Sequence, residues 1–114
     1  MSGIFNLDWP DFPDRDYETW NPTRGAMLWA VEVCADRVRD EWLAGSLREI
    51  VDGGYGYFGL GFFTQQQAAE IVRVIRTDLK AATEAVQPIA EPRNALIHVM
   101  VDELIGMADR WVKA

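Results

Sequence analysis

A chain of 114 residues, 49% hydrophobic and 25% charged, has the size and make-up of one globular domain, able to bury about 65% of the surface its unfolded form exposes. Eighteen acidic against eleven basic side chains leave a formal charge of -7, which repels a phosphate backbone and argues against DNA or RNA binding. The single cysteine, Cys34, excludes an internal disulfide and a cysteine-based zinc site.

Acids and prolines stand near the beginning, where a signal peptide would carry a basic region and then an apolar run. The expected compartment is therefore the cytoplasm. The longest charge-free stretch, Gly53 to Ala69, holds five glycines and three glutamines, a composition that hydrocarbon does not accept as a spanning helix. No membrane association is expected.

Residues 1–22 carry three prolines and no helical period, which predicts an irregular arm. Its Phe5, Leu7, Trp9, Phe12, Tyr17 and Trp20 offer large apolar area that gains from burial, so the arm should wrap the domain or a partner. Asn21 and Pro22 signal a helix start, and apolar residues from Leu28 to Trp42 recur at threes and fours, predicting a helix over about 23–44. Gly45 breaks that pattern and Ser46 can cap a short helix over 47–52, with Gly53 ending it in the left-handed conformation.

Gly53 to Phe63, GGYGYFGLGFF, reads as a Gly/aromatic loop. It contains a literal G-x-G-x-x-G at Gly54, Gly56 and Gly59, but helix rather than strand is predicted before it and no βαβ unit surrounds it. Its rings either pack over the open end of the bundle or, in the case of Tyr55, Tyr57 and Phe58, anchor a protein interface. Thr64 and Gln67 then have capping-box spacing, and the apolar stripe from Ala68 to Val86 predicts a third helix closed by Pro88. Pro92 opens a fourth, in which Leu104, Ala108 and Trp111 share a face. The expected fold is all-α: three long helices plus one short helix in a single domain, with the arm and the Gly/aromatic loop attached.

The sequence shows no constellation for chemistry. His98 is the one histidine and can bond Asp102 four residues on, but no nucleophile or further metal ligand accompanies it. Neighbouring carboxylates such as Asp40 with Glu41 point about 100° apart on a helix and do not converge. Cys34 lies near an apolar stripe, where a thiol acts as a small hydrophobe. Neither enzymatic activity nor a cofactor is expected.

The feature that folding alone explains least is the arm. Asp8, Asp11, Asp14, Asp16 and Glu18 face only Arg15, so residues 1–20 hold -4 of the total charge. Interleaved with Trp9, Phe12, Tyr17 and Trp20, these carboxylates suit a basic protein surface, the acids pairing with Arg or Lys while the rings supply contact area. Equally, the rings could fasten the arm to the bundle and leave the acids in water. In size, acidity, aromatic content and lack of catalytic residues the chain resembles bacterial immunity proteins, small cytoplasmic inhibitors that protect a cell from its own delivered toxins. The resemblance implies a non-enzymatic inhibitor that covers the basic active cleft of a cognate toxin, of nuclease or ADP-ribosyltransferase type. The alternative expectation is an assembly protein, a helical subunit that self-associates or a phage component.

Overall fold

Residues 2–114 are described in the computed structural model; Met1, the first residue of the expected arm, lies outside them. Two segments of the arm are strands, β1 (Ile4–Leu7) and β2 (Glu18–Trp20), paired antiparallel. Within the Gly/aromatic segment a third strand, β3 (Tyr57–Gly59), pairs parallel with β1, giving the order β2-β1-β3. The expected all-α fold is thus corrected to a helix-rich α/β mixture. The arm is a hairpin, and β3 joins the sheet through β1 instead of forming a hairpin of its own.

Burial of alternate side chains explains why these short strands hold. Phe5 and Leu7 point inward on β1, opposite the outward Ile4, as the two-residue period of a strand requires. The register sets Phe5 beside Trp20 on one side and beside Phe58 on the other. Their rings stand 6.1 Å apart edge-on and 4.6 Å apart tilted, a row of three buried aromatics whose contacts add to the gain from area alone.

Helix α1 (Arg24–Arg37) is the hub, touching β1 and all four other helices. Thr23 caps it, its side chain accepting from the Ala26 amide. Alanine, valine and cysteine dominate its buried positions, so neighbours can approach its backbone on several sides. The helix expected over 23–44 breaks at extended Val38, because Asp40 caps a new start by accepting from the Trp42 and Leu43 amides. Helix α2 (Glu41–Gly53) then runs through Gly45 and Ser46, the expected break and cap, and ends at left-handed Gly54, φ 64°. A glycine is needed there because other residues rarely adopt that region.

The expected capping box is present: Thr64 accepts from the Gln67 amide and the Gln67 side chain accepts from the Thr64 amide, opening α3 (Gln65–Thr77). Asp78 interrupts the long stripe and α4 (Leu79–Val86) continues beyond it. After a 3₁₀ turn at Pro92–Asn94, α5 (Ala95–Lys113) packs on α3 and α4. Its buried Val101, Leu104, Ala108 and Trp111 lie on the expected stripe. No helix among the described residues is long and apolar enough to cross a membrane.

Trp20 is fully buried, and its indole N–H has no hydrogen-bond partner among the described residues. Trp20→Ala should therefore cost about 3–5 kcal/mol of stability in urea denaturation. Trp20→Phe should cost much less, since it keeps most of the ring and removes the unpaired donor. Equal losses in the two variants would show that a phenyl ring cannot replace the indole and that the lone donor carries no cost.

Candidate functional site

The ten residues between β1 and β2 are shaped by their prolines. The Phe12 amide donates to the Trp9 carbonyl and the Arg15 amide to the Phe12 carbonyl, both at 3.2 Å, making two successive β-turns. Pro10 and Pro13 each occupy the second turn position, where their fixed φ is pre-set. Asp11 has φ 68°, the left-handed conformation that follows proline in a type II turn and that aspartate tolerates better than most residues.

This loop is pinned at its root. Trp9 is buried and stacks on Trp111 of α5, centroids 4.5 Å apart and planes 6° apart. The Trp111 indole N–H donates to the Asp8 carbonyl at 3.2 Å, and the Arg15 guanidinium lies 3.7 Å over the Trp9 ring. Glu18 adds a two-pronged pair, accepting from Arg110 Nε and Nη2 at 2.9 Å each. The guanidinium holds the Glu18 carboxyl below its usual range. Beyond these fastenings Asp11, Phe12, Asp14, Asp16 and Tyr17 are exposed, with 56% of Phe12 and 47% of Tyr17 open to solvent.

The predicted site residues therefore divide. Trp20 and Phe58, expected among the partner-facing rings, are core residues, and Trp9 faces Trp111 instead of solvent. Sequence left each of them open between core and interface, because it does not show which face of a short strand or loop is covered. Asp8 is structural too: its carboxylate accepts from the Gly61 amide at 2.8 Å, and a Cβ at position 61 would collide with it. This contact ties the root of the acidic loop to the aromatic segment.

On the outer face of the sheet Tyr57 is held by a ladder across three strands. The Thr19 hydroxyl donates to Asn6 Oδ1 at 2.8 Å, and Asn6 Nδ2 donates to the Tyr57 hydroxyl at 2.9 Å. Phe62, 73% exposed, meets the Tyr57 ring edge-on at 5.8 Å. Phe62, expected to pack over the bundle, stands in solvent against Tyr57, and Tyr55 is exposed as well. Isolated from their neighbours in the chain, these rings carry no signal that separates wall from surface.

Several other titratable groups are engaged in structure. The Lys80 ammonium bridges His98 and Asp102, donating to Nδ1 at 3.1 Å and to Oδ1 at 2.8 Å, so the expected direct His98–Asp102 bond is replaced by a bridge. His98, buried, in turn donates from Nε2 to the Gln87 carbonyl at 2.7 Å, which assigns the Nε2–H tautomer. Burial pushes the Cys34 thiol up to about 12, with the Asp78 charge adding to the effect, so at neutral pH it is a packed thiol and not a nucleophile. Among the described residues no three His, Cys, Asp or Glu side chains gather where they could hold a metal ion. A cleft of about 540 Å³ lies between the α1–α2 connection and the starts of α2 and α3, but its acids are committed. Asp40 caps α2, and Glu70 binds Arg73 and the Arg39 amide.

Asp8→Ala and Gly61→Ala remove the same bond by different routes, one by deleting the acceptor and the other by displacing it. Each should cost about 1 kcal/mol in chemical denaturation, and the double variant should cost clearly less than the two together. Simple additivity would show that the two positions do not share this contact.

The chain matches no protein-family model, no curated protein and no solved structure, so the reading of this surface rests on its geometry and charge.

Proposed function

We propose that this chain is a non-enzymatic inhibitor, similar in character to bacterial immunity proteins, whose hairpin loop covers the basic active cleft of a cognate toxin of nuclease or ADP-ribosyltransferase type. The observation that carries the reading is the division of labour in the loop. Trp9, Arg15 and Trp111 fasten it, and Asp11, Phe12, Asp14, Asp16 and Tyr17 are left facing outward. A surface already held in one shape loses little conformational freedom when a partner docks. Its carboxylates match Lys and Arg in a cleft built to hold phosphate, and its rings supply contact area. Exposed Tyr55, Tyr57 and Phe62 extend the apolar part of the surface. This reading places the chain in the cytoplasm, where it meets the toxin before export.

A separate observation favours the second reading, self-association. Val86, Ile89, Leu96 and Val99 are all exposed around the α4–α5 connection, and such residues suit an isologous contact between copies.

The two readings separate when the chain is co-expressed with the product of the adjacent reading frame. Inhibition requires a complex with one copy of each protein whose association slows as salt shortens the screening length from about 10 Å to about 3 Å. Asp11, Asp14 and Asp16 have no hydrogen-bonded or ionic partner among the described residues. Replacing all three with Asn should therefore slow association at least tenfold or so while leaving the melting temperature nearly unchanged. Asn also tolerates the left-handed backbone at position 11. An unchanged association rate, or a homo-oligomer that ignores the neighbouring product, would overturn the inhibitor reading.

A further inference from the structure

Beside the pinned loop lies a pocket of about 170 Å³ walled by Leu7, Trp9, Tyr17, Met107 and Trp111, with Asp16 on its lining. Cofactor and drug-sized ligands occupy about 300 Å³ or more, so this one has room for a single side chain. Its walls are apolar and aromatic. One cation also lines it, Arg110, but both Glu18 oxygens bind that guanidinium, which leaves Asp16 with no ionic partner on the lining among the described residues.

We infer that this pocket is the receptor for one arginine side chain of the basic partner. The inference rests on the inhibitor reading above and names the group that the surface recognises. An aromatic-walled recess with one carboxylate suits a guanidinium, whose flat faces stack on rings while its edge donates to the acid. Arg15 and Trp111 already cover the two faces of Trp9, so the half-exposed Tyr17 ring is the face on which the guanidinium would lie. Met107 adds a polarizable thioether that fits against a planar group. A lysine would bring the charge but not the plane, and so would use the walls less well.

The test titrates N-acetyl-arginine amide into the ¹⁵N-labelled full chain and follows the indole N–H signals of Trp9 and Trp111 and the amides of Asp16 and Tyr17. Saturable shifts are expected with the arginine compound, weaker ones with N-acetyl-lysine amide, and none with the neutral isostere N-acetyl-citrulline amide. Asp16→Asn should weaken binding about threefold to fivefold, the weight of an exposed ion pair. Glu49→Gln, on α2 and outside both the pocket lining and the proposed surface, should leave it within about twofold. Absence of saturation, equal response to citrulline or lysine, or equal weakening by the two variants would overturn the assignment. A pocket that fails while the triple-Asn variant still slows the partner removes only this assignment. A pocket that takes arginine while that variant associates normally removes the inhibitor reading instead.

Discussion

The stack of Trp9 on Trp111 joins the two ends of the described chain, and the candidate surface depends on it. A ten-residue connection between strands of four and three residues has little hydrogen bonding of its own with which to resist fluctuation. Two large rings in near-parallel contact, an indole donor on the Asp8 carbonyl and an arginine over the outer ring supply the order that the strands do not. The Glu18–Arg110 pair repeats the connection one strand away. It is exposed and contributes less to stability, but its two parallel hydrogen bonds join β2 to α5.

Fastening and display are therefore assigned to different residues of one short segment. The acids and rings that alternate along residues 8–20 do not act as a uniform strip. Asp8, Trp9, Glu18 and Trp20 are consumed in holding the hairpin together, while Asp11, Phe12, Asp14, Asp16 and Tyr17 stay in water. The separation matters for charge as well. The outward carboxylates of the loop have only Arg15 to oppose them locally, and that guanidinium lies against an indole. A field of this kind acts on the rate of encounter with a basic partner more than on the strength of the fold.

The helical part of this arrangement was legible because its signals are local. Thr64 and Gln67 lie three residues apart, and the α5 stripe repeats within one helix, so both could be read without knowing what surrounds them. The sheet was not legible in the same way. Strands of three or four residues offer too few alternations to be told from loop, and β3 finds its parallel partner about fifty residues earlier in the chain. Some of the hairpin was nevertheless written locally. Trp9-Pro10-Asp11-Phe12 and Phe12-Pro13-Asp14-Arg15 are both turn sequences, and reading them as turns instead of breaks would have predicted a reversal between two apolar runs. The helix break at Val38 was likewise signalled by Asp40, whose capping role was hidden behind the continuing apolar pattern. The burial of Trp20 and Phe58 had no local signal, because it follows from the register that sets them on either side of Phe5.

The central claim is that the indole stack orders the acidic loop for display. Backbone ¹⁵N relaxation of Asp11, Phe12 and residues 14–17, compared between the natural chain and Trp111→Ala, tests it most directly. The account expects order parameters near those of the core, about 0.85, in the natural chain and a fall below about 0.6 in the variant, with Phe5 and Phe58 unaffected in both. A loop already mobile in the natural chain, or equally ordered without the Trp111 ring, would contradict it.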